Sequence, residues 1–106
     1  MKSSFLLQYF AKEHIHTSQA VVCGSTAIGA RFRSFRSTED IDLVLSFWKI
    51  GEQFISYRNV KQHCQEVSHI RVVEIPLVKR YKRTLKREKD LYDLAFLRLH
   101  EKECDV

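Results

Sequence analysis

Apolar positions first appear at helical spacing. Phe5, Leu6, Tyr9 and Phe10 fall on one side of a helix that Ser3 or Ser4 can cap. The run Ala20-Val21-Val22-Cys23 follows, β-branched at its centre and stopped by Gly24, and its length predicts a buried strand. Ser25 opens a short helix, Thr26 to Phe32, and residues 33 to 39, Arg-Ser-Phe-Arg-Ser-Thr-Glu, read as loop. Asp40-Ile41-Asp42-Leu43-Val44-Leu45 alternates at its start and is apolar beyond, which predicts a central strand with its charged end exposed. Gln53 to Tyr57 has strand character, and Val60 to Val67 reads as a helix capped by Asn59. Ile70-Arg71-Val72-Val73-Glu74-Ile75 reads as another strand. Pro76 suits the first turn of a helix that sends Leu77, Val78, Tyr81 and Leu85 inward, and a last helix runs from Glu88 to His100. This order predicts an α+β fold, a small mixed β-sheet with helices packed on it, in one domain over residues 1–106.

Composition narrows the class. A hydrophobic fraction of 44% and a charged fraction of 29% are ordinary for a soluble globular chain. No apolar run approaches the ~20 residues that cross a bilayer, so no membrane association is expected. The N-terminal stretch lacks a small-residue cleavage site and reads as an amphipathic helix, not a signal peptide. Cys23, Cys64 and Cys104 stand far apart and are odd in number, which fits a reducing cytoplasm better than a disulfide framework. The spacing of His63, Cys64, His69, His100 and Cys104 matches no zinc pattern.

The formal charge of +5 favours anionic partners such as nucleotides or nucleic acid. Its placement is more informative: residues 79 to 89 hold seven of the eighteen Lys and Arg. Lys79, Lys82, Arg83 and Lys86 form one cationic stripe at helical spacing. It can neutralise phosphates, or it is the solvated face of an amphipathic helix.

The sharpest feature is Gly24-Ser25, then fourteen residues, then Asp40-Ile41-Asp42. A strand that ends in Gly-Ser and runs into a helix brings backbone N–H groups, a hydroxyl and the helix dipole to a phosphate chain. Aspartates at i and i+2 on a strand project to one face. Carboxylates so placed repel one another unless they share a cation or an Arg. Hard cations such as Mg²⁺ prefer their oxygens, and two such ions can bridge a triphosphate.

Val21 to Gly29 and Arg36 to Leu45, with Arg36-Ser37-Thr38-Glu39-Asp40-Ile41-Asp42 at the centre of the second block, resemble the signature of the polymerase-beta-like nucleotidyltransferases. The likeness is closest to the AbiEii-like branch, which includes toxins of abortive-infection and toxin–antitoxin systems. Arg87-Glu88-Lys89-Asp90-Leu91-Tyr92-Asp93-Leu94 resembles that branch's later helical segment, and a lysine-bearing helix precedes it, as Lys79 and Lys82 do here. The resemblance implies a nucleotidyltransferase-like fold, with Asp40 and Asp42 as metal ligands and catalytic residues and with Gly24 and Ser25 at the triphosphate. It also implies that a lysine of the 76–86 helix and Asp90 complete the site: Lys82 is the catalytic candidate and Lys79 the nucleotide-binding one. Arg36 either orients the aspartates or touches a phosphate, or is an exposed loop arginine. Asp90 and Asp93 share a helical face, where dipole compensation and pairing with Lys86 or Lys89 is the plainer account. The superfamily usually has a third acid on a later strand, for which Glu74 is the candidate by position.

The expected activity is transfer of a nucleoside monophosphate from a nucleoside triphosphate to an acceptor hydroxyl, with Mg²⁺ or Mn²⁺ as cofactor. The acceptor could be an RNA 3′ end, a protein or a small molecule. A toxin–antitoxin partner or a homo-oligomer is compatible with it. The competing expectation is a catalytically inactive module of the same fold that binds RNA or a protein through its basic surface.

Overall fold

The computed structural model describes residues 3–32, 34–36, 40–45, 47–50 and 52–100. The capping expected of Ser3 or Ser4, the loop residues Arg33, Ser37, Thr38 and Glu39, and Cys104 lie outside the described residues and side chains. Helix α1 (Ser3–Lys12) leads through a 3-10 turn (Thr17–Gln19) to strand β1 (Val21–Val22) and helix α2 (Gly24–Arg31). Strands β2 (Leu43–Val44), β3 (Phe47–Ile50) and β4 (Gln53–Ser56) precede helix α3 (Tyr57–Gln62). Strands β5 (Cys64–Val67) and β6 (Ile70–Val73) and helices α4 (Ile75–Leu85) and α5 (Glu88–His100) complete the order. The expected α+β class is what forms: a small mixed four-stranded sheet, ordered β2-β1-β6-β5, with helices packed on it, and a separate β3-β4 hairpin.

Strand β1 lies parallel to β6, with Val22 opposite Val72, and antiparallel to β2, with Val22 opposite Leu43. Successive side chains of a strand point to opposite faces. Val21 and Val22 are both fully buried, so both faces of the sheet are covered at β1. Val44, Val67, Ile70, Val72 and Val73 continue this core, and Ala27, Ile28, Leu77, Val78 and Leu97 cover it from α2, α4 and α5. Among the described side chains of α1, Leu6 and Phe10 are the fully buried ones; Phe5 is 52% exposed, because the inward stripe follows the i, i+4 pair.

Three expectations change. The Asp40–Leu45 segment is an edge strand, not a central one: β2 pairs with β1 alone, and Leu45 is exposed. The helix expected over Val60–Val67 splits. Ser56 caps α3 by accepting from the Asn59 N–H (3.2 Å), the helix stops at Gln62, and Cys64–Val67 pairs antiparallel with Ile70–Val73. Leu85 lies at the exposed end of α4, while Lys82 joins Leu77 and Val78 on its buried face.

Candidate active site

Gly24 stands where β1 becomes α2, with φ of +60°, a left-handed conformation that favours glycine. The Cys23 N–H donates to the Asp42 carbonyl (2.9 Å), which extends the β1–β2 ladder by one step and brings Asp42 beside the turn. The approach is so close that a Cβ on Gly24 would lie 2.5 Å from Asp42 Oδ2. The Asp42 carboxylate therefore stands at the start of α2. Within that helix Ala27 N–H donates back to the Cys23 carbonyl (3.2 Å), and the N–H groups ahead of it have no intrahelical partner. Thr26 holds the Asp40-Ile41-Asp42 segment from below: its hydroxyl donates to the Asp40 carbonyl (3.3 Å) and accepts from the Asp42 N–H (3.1 Å). Sequence reasoning assigned Thr26 no role, although Gly-Ser-Thr-Ala carries it. Asp40 is exposed.

Burial raises the Asp42 carboxyl above the ordinary carboxylate range. Lys82 and Lys89 oppose that, Asp40 adds to it, and Arg87 opposes it more weakly. The neighbouring Cys23 thiol is pushed up to about 12, first by burial, then by Asp42, against Lys82. Burial also raises the half-buried Tyr81 phenol, with Cys23 the next cause, which places this α4 residue in the same neighbourhood. The sequence reading made Tyr81 only part of an apolar face.

Behind the turn lies a buried polar cluster. The Ser25 hydroxyl donates to Asp93 Oδ2 (2.7 Å) and accepts from Lys82 Nζ (2.7 Å) and Arg36 Nη2 (3.1 Å). Lys82 Nζ also meets Asp90 Oδ1 at 3.1 Å and Asp93 Oδ2 at 2.9 Å. The three ammonium donors and the capacity of the hydroxyl are thus occupied within the protein. Arg36 reaches Asp93 twice, Nε to Oδ1 at 3.0 Å and Nη2 to Oδ2 at 2.9 Å, a bidentate clamp. Arg87 clamps Asp90 in the same way, Nε to Oδ2 at 2.7 Å and Nη2 to Oδ1 at 3.2 Å. Burial by itself would raise both carboxyls. For Asp90 the hydrogen bonds from Arg87 and Lys82 outweigh it, and for Asp93 those from Arg36, Lys82 and Ser25 do, so both titrate below the usual range.

Two local features build this cluster. Lys86 ends α4 in the left-handed region (φ 52°), so α5 turns back and lays Asp90, Asp93 and Leu97, spaced i, i+3 and i+7, against α4. Phe32 and Phe35 pack edge-on against Phe96, with centroids 5.6 and 5.0 Å away, and this pins the segment that carries Arg36 to α5.

The structure thus draws Gly24 to Asp42, and Ser25, Arg36, Lys82 and Asp90 into one cluster through Asp93. The expected cationic stripe breaks up. Lys82 is 1% exposed and points inward, Lys86 lies in the turn, Arg83 is exposed, and Lys79 is half-buried one turn before Lys82. Asp90 and Asp93 pair with Lys82, Arg36 and Arg87 in place of Lys86 or Lys89. Among the described residues Glu74 forms no three-acid group with the aspartates. It precedes α4, and its carboxylate lies 3.1 Å from His63 Nδ1. Among the described residues no three His, Cys, Asp or Glu side chains converge as a metal cage, which holds also for the zinc candidates there. No described helix is long and apolar enough to cross a membrane.

A family model described as "Nucleotidyl transferase AbiEii toxin, Type IV TA system" matches residues 6–80. No curated protein and no solved structure matches the chain. The matched range holds Gly24, Ser25, Arg36, Asp40, Asp42 and Lys79, whereas Lys82, Asp90 and Asp93 lie just past it. With most of its length matched, the chain belongs to the AbiEii family of nucleotidyl transferase toxins of type IV toxin–antitoxin systems.

Proposed function

We propose that the protein transfers a nucleoside monophosphate from a nucleoside triphosphate to an acceptor hydroxyl with the help of Mg²⁺ or Mn²⁺. The carrying observation is the placement of the Asp42 carboxylate at the start of α2, against a glycine that leaves no room for a side chain. Asp40 and Asp42 would hold the metal. The donor set fits a hard divalent ion: two carboxylates near enough for Asp40 to raise the Asp42 carboxyl, a repulsion that a cation relieves. Two carboxylates leave most of an octahedral shell to phosphate oxygens and water, the usual habit of Mg²⁺. A bound ion would supply charge neutralisation on the triphosphate and a more acidic acceptor hydroxyl.

The chain's own groups do the positioning. The N–H groups at the start of α2, which have no intrahelical partner, would face the phosphates. Ser25, saturated by Lys82, Arg36 and Asp93, keeps that turn rigid, and Thr26 keeps the two aspartates in register. In the reaction the acceptor oxygen bonds to the α-phosphorus and the α–β bridging bond breaks. Pyrophosphate leaves with the electron pair, and the hydroxyl proton is released. Lys79 and Arg36 would contribute positive charge toward the triphosphate. The net charge of +5 favours an RNA 3′ end as acceptor over a neutral hydroxyl. An activity that draws on triphosphates and Mg²⁺ fits the cytoplasm, and the family context supports an antitoxin as the protein partner.

A non-catalytic binding module is the second reading, and Glu74 favours it, because the third acid is engaged with His63. Label transfer separates the two. The protein is incubated with each α-labelled triphosphate, Mg²⁺ and total RNA beside an Asp40→Asn/Asp42→Asn control. Label on RNA or protein that vanishes in the control is the expected result. Absence of label from folded protein with every triphosphate would favour the module.

A further inference from the structure

A cavity of about 600 Å³ is lined by Arg36, Arg87, Glu88, Lys89 and Tyr92. Its wall is the first turn of α5 and the Arg36 segment, so it is not the Gly24–Asp42 turn. The two places share a border. Arg36 donates to Ser25 Oγ on one side and lines the cavity on the other.

The lining has a definite chemistry. The inward face of α5 is taken by Asp90, Asp93 and Leu97, which leaves Lys89 and Tyr92, spaced i, i+3, as neighbours on another side. Tyr92 is 54% exposed, a large aromatic on a surface with no core role. Lys89 enters no ion pair among the described residues. Lys82, Arg36 and Arg87 also meet the Asp90 and Asp93 carboxylates of the neighbouring cluster, and Arg36 and Arg87 line the cavity as well. Glu88 is the one acid of the lining. A π-face beside clustered cations suits a nucleotide, whose base stacks and whose phosphate needs positive charge. A purely acidic ligand would leave the ring unused.

We infer that this cavity is the acceptor subsite: the nucleotide that carries the attacked hydroxyl stacks its base on Tyr92 and gives its phosphate to Arg87 and Lys89. This inference rests on the nucleotidyl-transfer reading. A free nucleotide and the end of an RNA present the same base and phosphate, and the two probes below distinguish them.

Titration calorimetry tests it with Mg²⁺ present and the first site filled by a triphosphate analogue whose α–β bridge is a methylene. AMP and a five-nucleotide single-stranded RNA are the two probes, used on wild type, Tyr92→Ala, Tyr92→Phe and Lys89→Ala. Both positions are exposed, so the fold is expected to survive, and circular dichroism checks it. Tyr92→Ala is expected to weaken binding about tenfold and Tyr92→Phe by less than about twofold. Lys89→Ala is expected to lower the salt slope for RNA by about one. RNA binding without AMP binding identifies an RNA end as acceptor; binding of both admits the free nucleotide. Unchanged affinity in Tyr92→Ala and Lys89→Ala, or no binding of either probe, overturns the subsite. The label-transfer assay keeps the two readings apart. If transfer occurs but Tyr92→Ala leaves the KM for acceptor unchanged, the subsite is wrong and the transferase stands. If the variants change binding but wild type transfers nothing, the acceptor role falls with the transferase.

Discussion

Lys82 Nζ and Asp93 Oδ2 meet 2.9 Å apart with 1% and 0% of their side chains exposed. A charge pair this deep survives only because every remaining donor and lone pair has a partner. Here Ser25, Asp90, Arg36 and Arg87 provide them. The pair joins α4 to α5, and through Ser25 it reaches the turn that presents Gly24 to Asp42. With its three ammonium contacts taken by Ser25, Asp90 and Asp93, we read Lys82 as a positioning residue.

Replacing Lys82 with Met preserves most of the volume and leaves two carboxylates buried against fewer cations. Loss of one member of a buried pair typically costs about 3–5 kcal/mol. Lys82→Met is expected to lower unfolding free energy by that order in urea titrations. Lys82→Met/Asp93→Asn is expected to recover part of it, because the uncompensated charge is gone. If the single variant is as stable as wild type, the ion pair does not exist in solution.

The same cluster sets an acid limit. Asp90 and Asp93 titrate below their unfolded value of 3.8. A depressed folded pKa means that the unfolded chain binds the proton more tightly, so the stabilisation is fully present above about pH 4 and is lost as pH falls through the folded pKa values. Urea unfolding between pH 7 and pH 2.5 is expected to show this loss setting in below pH 4. The loss is expected to be smaller in Asp93→Asn, which has one fewer shifted carboxyl. An equal decline in both proteins would remove the cluster as its cause.

Much of the fold is legible in local signals. The last helix begins and ends at Glu88 and His100 as its pattern predicts, and Pro76 marks the first turn of α4. The β5-β6 hairpin is not legible. Its turn is Ser68-His69, with φ of 50° and 69°, and neither residue is the Gly or Asn that advertises such a turn. The edge position of β2 also escapes, because apolar Leu43-Val44-Leu45 carries no mark of having one partner strand. In the candidate site, the meeting of Gly24 with Asp42 follows from a strand-turn-helix beside a second strand, and both motifs announce it. The burial of Lys82 was readable in part: positions 77, 78, 81, 82 and 85 share one helical face, and Lys82 sits in the middle of it. Its partners across the turn, Asp90 and Asp93, are set by the left-handed Lys86, which no residue type signals. Glu74 is a candidate by strand position alone, and strand position does not foretell that its carboxylate lies 3.1 Å from His63 Nδ1.

Cys23 gives a chemical check on the packing. It is 5% exposed, and burial is the largest cause that pushes its thiol up to about 12. The thiolate is the reactive form, so at pH 8 almost none is present. Iodoacetamide is expected to leave Cys23 unmodified in folded protein and to label it once urea unfolds the chain, as peptide mass spectrometry can follow. The more accessible Cys64 is expected to react earlier. Rapid labelling of Cys23 under native conditions would mean that the β1–α2 junction opens.

Gly24→Ala probes the relationship on which the function rests. The left-handed conformation costs an ordinary residue about 1–2 kcal/mol. The new Cβ also meets Asp42 Oδ2 at 2.5 Å, and Asp42 has to move, since the Gly24 backbone is held between β1 and α2. The expected result is a stability loss of about 1–2 kcal/mol together with a much larger loss of label transfer. Asp42→Asn should behave differently. Its shape is kept, so stability should hold, while Mg²⁺ affinity and transfer fall together. Isothermal titration with Mg²⁺ and a triphosphate, run beside urea unfolding, reads both quantities on each variant. If Gly24→Ala transfers label at the wild-type rate, the turn can relax without disturbing Asp42, and the close approach does not carry the chemistry.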